Sequence, residues 1–155
     1  MTLTDTENDL FKILLVEDDD DHANLIKRGF RKAKITTELE RFSDGSEAIA
    51  FFEALDECEP VKLVEQLPRV ILLDLNLPKI SGIELLKFIR SCKSPYIRNL
   101  VVIILSTSDA PNDLRNAYSA GANSYLKKPV NFDEFKSMTE TLSLYWGGLN
   151  RPALD

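Results

Sequence analysis

Residues Phe11–Asp21 read FKILLVEDDDD: an apolar run, Ile13-Leu14-Leu15-Val16, passes straight into five acids, Glu17, Asp18, Asp19, Asp20 and Asp21. An unbroken run of four aliphatic residues fits a strand buried on both faces. The acids that follow it are costly neighbours. Two carboxylates about 4 Å apart repel by about 1 kcal/mol in water and about 4 kcal/mol near a protein surface. Either they fan out into solvent or something cationic offsets them.

The same grammar recurs down the chain. Val70–Leu73 is a second apolar run and ends at Asp74; Leu100–Leu105 is a third and ends at Ser106; Ser124–Lys127 is a short strand before Lys128. Thr37–Phe42 alternates like a strand. Between these lie amphipathic stretches. His22–Ala33 carries Leu25, Ile26, Gly29, Phe30 and Ala33 on one side. Asp44, Ser81 and Asn131 each precede a Glu by three residues, as helix N-caps do. Asp109–Ala120 is helical and stops at Gly121, a favourable left-handed C′ residue. Five strands alternating with five helices predict an α/β fold with a parallel sheet covered on both faces. In such sheets the functional site lies beyond the carboxyl ends of the strands.

Bulk properties narrow the function. A chain of 155 residues fits one domain. A net charge of −6 disfavours a nucleic-acid footprint, which needs a basic face. No apolar run approaches the ~18 residues of a membrane span, so no membrane partner is expected. Cys58 and Cys92 fit neither a metal spacing nor a disulfide framework and read as reduced thiols of a cytoplasmic protein. Residues 1–10 read as a flexible leader, 11–146 as the domain and 147–155 as a C-terminal tail; 56–69 is a long connection.

At the strand ends collect Glu17, Asp18, Asp74, Ser106 and Lys128. Singly, each has a plain explanation. Acids before a helix cap it and suit its dipole; an Asp can make a turn toward Pro78, a Ser can sit in a turn, and a Lys can be solvated. Together, on separate strands, they describe a site. Three carboxylates make a hard oxygen site suited to Mg²⁺. An Asp beside it can act as a nucleophile toward phosphorus, with a hydroxyl and an ammonium on the phosphoryl oxygens.

These residues resemble the receiver domain of two-component response regulators. The likeness rests on Val16-Glu17-Asp18, Leu72–Leu86 (LLDLNLPKISGIELL), Leu105-Ser106, Ala120–Pro129 (AGANSYLKKP) and the order of elements, and covers residues 11 to about 145. It implies a flavodoxin-like, doubly wound sheet of order 2-1-3-4-5. It implies that Asp74 accepts a phosphoryl group from the phosphohistidine of a sensor histidine kinase, with Mg²⁺ held by Glu17, Asp18, Asp74 and the backbone carbonyl of Asn76. Ser106 and Lys128 would read the phosphoryl group, Tyr125 would be the switch aromatic, and the Lys128–Pro129 bond would be cis. Phosphorylation adds about −1.5 to −2 charges and would reshape the face of the fourth helix, fifth strand and fifth helix. The protein would then be a phosphoacceptor switch, with no enzymatic activity beyond slow self-catalysed phosphotransfer and dephosphorylation.

Thr107 departs from the family's usual Ala, and Asn76 and Ser108 sit where receivers tune self-dephosphorylation. The long 56–69 connection and the C-terminal Leu142–Trp146 are similar to a narrower group, small stand-alone regulators paired with cyanobacterial phytochrome kinases. That likeness implies a homodimer through the fourth helix, fifth strand, fifth helix and tail, to which Phe132, Phe135, Tyr145, Trp146 and Leu149 could contribute. A phosphate-independent pseudo-receiver is the alternative. A haloacid-dehalogenase-type enzyme would need an acid where Asn76 stands, and a flavin or nucleotide carrier would need a phosphate-cradling loop where five acids stand.

Overall fold

The computed structural model describes residues 10–152; the expected leader lies outside these save for Leu10, as do the last three residues of the expected tail. The elements are β1 (Phe11–Val16), α1 (Asp20–Arg31), β2 (Thr37–Phe42), α2 (Gly45–Asp56), α3 (Pro60–Gln66), β3 (Val70–Asp74), α4 (Gly82–Ser91), α5 (Pro95–Arg98), β4 (Val101–Ser106), α6 (Pro111–Ser119), β5 (Ser124–Lys127) and α7 (Phe132–Leu144), which runs on into a π-helical turn, Tyr145–Leu149. The five strands form one parallel sheet of order β2-β1-β3-β4-β5. This is the expected flavodoxin-like sheet.

Strand side chains alternate between two cores, which is why the strand runs are apolar at every position. Leu14, Val16, Ile71, Leu73, Val102 and Ile104 pack with Phe52 of α2, Leu86 of α4 and Ile97 of α5. Ile13, Leu15, Leu72, Ile103 and Leu105 face the other way, onto Ile26 and Phe30 of α1 and Phe135 of α7. The helices α1 and α7 cross closely at Gly29: a Cβ there would lie 2.4 Å from Thr139 Oγ1.

Local signals set the helix starts. Asp44, Ser81 and Asn131 accept the N–H groups of Glu47, Glu84 and Glu134 at 2.9, 3.2 and 3.0 Å, and Gly121 adopts the left-handed φ of 108°. Two expectations need correction. There are seven helices among the described residues, not five: α3 lies inside the connection 56–69 and α5 just before β4. Each starts with Pro at its first turn and buries one side chain, Leu63 or Ile97, too short a stripe to show as periodicity. No cis peptide occurs among the described residues; the Lys128–Pro129 bond is trans, the form any X-Pro bond prefers by about 0.5–1 kcal/mol.

Candidate functional site

Because β1 is the strand on either side of which the chain order reverses, its carboxyl end and that of β3 border one crevice. In-register pairing of Val16 with Leu73 brings Glu17 and Asp74 out at the same level, and pairing of Asp74 with Leu105 sets Ser106 beside them. Lys128 follows β5 immediately, its N–H on the Ser106 carbonyl at 2.7 Å. Glu17, Asp74, Ser106 and Lys128 are all buried. Asp18 is exposed at the rim.

The Lys128 ammonium lies 3.1 Å from Asp74 Oδ2 and also contacts Glu17 Oε1. Asp74 Oδ1 accepts the N–H of Asn76 at 3.1 Å, so the turn reading of this aspartate holds alongside the functional one. Burial pushes the Glu17 carboxyl up to about 8, helped by the facing Asp74 carboxyl and opposed by Lys128. Asp74 moves the other way. Burial raises it, but the hydrogen bond with Glu17, the Lys128 charge and the Asn76 N–H outweigh burial and hold it below the usual carboxylate range. Lys128 loses to burial but gains more from its two carboxylates, so its ammonium is strengthened. The bonds from the Lys128 ammonium and the Asn76 N–H favour the ionised form of Asp74.

One buried cation faces two buried carboxyls and the rim carboxylate of Asp18. The three acids fit a divalent metal: each offers an oxygen within 4.8 Å of the others, and Glu17 Oε2 is sealed from solvent with no hydrogen-bond donor. An all-oxygen donor set with a fixed lysine beside it suits a hard cation.

At the far side, Ser106 Oγ accepts the N–H of Ser108 at 3.1 Å, and the Ser108 carbonyl accepts the Tyr125 hydroxyl at 2.6 Å. The Tyr125 ring is half-buried against the core. The Ser108 hydroxyl donates to Asp113 Oδ2 at 2.5 Å, which ties the same loop to α6. One residue thus bridges the hydroxyl and the aromatic.

Sequence reasoning placed His22 only at the start of the first helix. Its Nδ1 in fact lies 3.1 Å from Lys128 Nζ and 3.3 Å from Glu17 Oε1, with the ring tilted over Phe135. It also missed Arg41, the next-to-last residue of β2, which bonds the acidic loop. Once β2 is placed beside β1, the register Leu15 with Arg41 puts that side chain next to the knot of acids; nothing in local spacing does so.

The five acids have separate fates. Glu17 meets Lys128, and Asp18 stands at the rim. Asp19 caps α1 by accepting the His22 N–H at 3.0 Å, and Asp20 pairs with Arg41 at 2.8 Å. Asp21 is exposed in the first turn of the helix.

The crevice gathers acids, a lysine and a hydroxyl at the carboxyl edge of a five-stranded parallel sheet, the architecture of a receiver-type signalling module. Residues 13–140 match the response regulator receiver domain, and the chain belongs to that family. Among its relatives is a Methanothrix harundinacea protein named probable methanogenesis regulatory protein FilR2, 41% identical over 92% of this chain and 88% of that protein. Response regulator Rcp1 of Synechocystis is 33% identical over 93% of this chain and 94% of its own length; a structure of Rcp1 in its Mn²⁺-bound form superposes with a TM-score of 0.75 over 92% of this chain and 99% of that one, at 31% identity. The phosphorylated cyanobacterial phytochrome response regulator RcpA superposes with a TM-score of 0.78 at 31% identity, over 92% of this chain and 97% of that one. Among the described residues no helix is long and apolar enough to cross a membrane.

Proposed function

We propose that this protein is a stand-alone, cytoplasmic response regulator that takes a phosphoryl group on Asp74 from a sensor histidine kinase. An Asp74 carboxylate oxygen attacks phosphorus, the P–N bond to the donor imidazole breaks, and the imidazole leaves with the bond's electron pair. The product is an acyl phosphate. Lys128 and the Ser106 hydroxyl stabilise its oxygens, as charge- and hydrogen-donating clamps do in phosphoryl transfer. Glu17, Asp18, Asp74 and the Asn76 carbonyl would hold Mg²⁺, which would supply the Lewis-acid charge that the single lysine leaves unmet. The observation that carries this reading is geometric: in one buried crevice the Lys128 ammonium bonds Asp74 Oδ2 at 3.1 Å, and Glu17, Asp18 and Asp74 each offer an oxygen within 4.8 Å of the others. The protein acts as a switch read by others, not as a turnover enzyme. Transfer from an autophosphorylated kinase followed by borohydride should convert Asp74 to homoserine and leave Asp74→Asn unlabelled. Label retained on Asp74→Asn would remove the assignment.

The donor must reach Asp74 past α1. Lys27, Arg28, Arg31, Lys32 and Lys34 follow one another there, and none makes an ion pair within the described structure. Reversing Arg28, Arg31 and Lys32 should slow transfer from the kinase at least tenfold at low salt while leaving acetyl phosphate labelling unchanged. Equal rates would place the donor elsewhere. A phytochrome-type kinase is supported by the likeness to RcpA and Rcp1. The higher identity to FilR2 favours a kinase with another input, and side-by-side transfer from the two kinds of kinase separates them.

A homodimer through α6, β5, α7 and the following turn is supported by Tyr118, Leu144, Tyr145 and Leu149, all half or more exposed or nearly so. Of the other residues expected to contribute, Phe135 is core, Trp146 packs against the α1–α7 core, and Phe132 lies beneath Arg28 at 4.1 Å. Leu149→Glu should abolish self-association in sedimentation.

A further inference from the structure

The acidic loop after β1 is held from behind by one guanidinium. Arg41 Nε donates to the Glu17 carbonyl at 3.0 Å, one terminal nitrogen donates to the Asp18 carbonyl at 3.3 Å, and the other donates to Asp20 Oδ1 at 2.8 Å. The side chain is mostly buried, at 16% exposure, although its anionic partner Asp20 is 82% exposed. The backbone of β1 and β2 supports the same junction: the Glu17 N–H bonds the Phe42 carbonyl at 3.0 Å. Five donors in a rigid planar fork can span two successive carbonyls and a carboxylate; a lysine ammonium cannot.

We propose that Arg41 is a positioning residue for the metal-binding pair. It fixes the backbone of Glu17 and Asp18 so that their carboxylates face Asp74 before any cation arrives. It also ties Asp20 away, so that the knot of five acids presents two ligands to the crevice and not a competing third. Arg41 touches neither Asp74 nor Lys128 and acts only through the loop. Outer partners of this kind typically contribute 10–100-fold to metal affinity. A positive charge near the site works against cation binding through space, but the Asp20 carboxylate at 2.8 Å offsets the guanidinium charge. Orientation of the two ligands therefore outweighs repulsion, and removing Arg41 weakens the site.

This inference rests on the metal-site reading above, and the experiment separates the two. Mn²⁺ binding is titrated by electron paramagnetic resonance on the wild type, Arg41→Met, Arg41→Lys, Asp20→Asn and Asp18→Asn, with amide hydrogen exchange of residues 17–21 followed in metal-free protein. The wild type should bind one Mn²⁺ and Asp18→Asn should lose it; a wild type that binds none refutes the metal site itself. Arg41→Met should raise the Kd about tenfold and speed exchange in residues 17–21 with β3 and β4 unchanged. Its labelling by acetyl phosphate at saturating metal should stay within about twofold of wild type, because the reacting groups are untouched. Arg41→Lys should not restore affinity, and Asp20→Asn, which keeps both carbonyl contacts, should lose no more than a few-fold. An Arg41→Met protein that is folded and binds Mn²⁺ as tightly as wild type, or more tightly, overturns the proposal. So does a slow phase that persists at saturating metal, which would place Arg41 in the chemistry or the core instead.

Discussion

A single missing side chain shapes the backbone around Asp74. Gly82 opens α4 directly behind Asp74, and a Cβ there would lie 2.3 Å from the Asp74 carbonyl oxygen and 2.8 Å from Leu75 Cα. Both obstacles are backbone, so neither can swing aside. Gly82→Ala should cost about 2 kcal/mol or more in urea unfolding, the range for overpacked sites that cannot relax, and should slow Asp74 labelling as well. An unchanged midpoint would mean that the helix start shifts freely. The two cysteines make a second test. Burial, with Asp56 and Glu53 nearby, pushes the Cys92 thiol up to about 11. The reactive form is the thiolate, and with a raised pKa it is only about a thousandth of the population at pH 8. Native protein should therefore alkylate quickly at the half-buried Cys58 alone, and at both sites once unfolded. Fast double labelling of native protein would contradict the burial.

Helix starts separate elements whose boundaries are written locally from those that tertiary contacts define. α2, α4 and α7 have side-chain caps at Asp44, Ser81 and Asn131, and all three were legible from Asp, Ser or Asn three residues ahead of Glu. α6 follows Ala110, whose side chain caps nothing, and its start was read two residues early, at Asp109. Asn131→Ala should cost about 1 kcal/mol, and Ala110→Ser should gain about 0.5 kcal/mol or more, both by denaturant midpoint. The strands were legible for a different reason. Ile13–Val16, Val70–Leu73 and Leu100–Leu105 are apolar throughout because each faces two cores. α3 and α5 escaped because a helix that buries one side chain has no period to detect. Arg41 and His22 escaped because their partners lie 24 residues away at Glu17 and 106 residues away at Lys128; only the strand order brings them together. Reading β2 beside β1 from the family resemblance would have placed Arg41, had its register been followed to the end of the strand.

At the scale of the molecule, charge is arranged to be completed by something the chain does not carry. Three acids of the knot, Glu17, Asp19 and Asp20, have a partner or a capping role, but the crevice still sets the carboxyls of Glu17, Asp18 and Asp74 against one lysine. A divalent cation that binds only the folded crevice must stabilise the fold by mass action: at a hundredfold excess over Kd the gain is about 2.7 kcal/mol. Adding Mg²⁺ should raise the thermal midpoint of the wild type and leave Asp18→Asn unmoved; equal shifts in both would point to general ionic effects.

The most direct test of the central claim is the intact mass of the protein after incubation with Mg²⁺ and acetyl phosphate, for wild type and Asp74→Asn, with and without chelator. The account predicts one phosphoryl adduct on the wild type, absent from Asp74→Asn and absent when the metal is chelated. An unmodified wild type under every condition would contradict it and leave a pseudo-receiver that signals by contact alone.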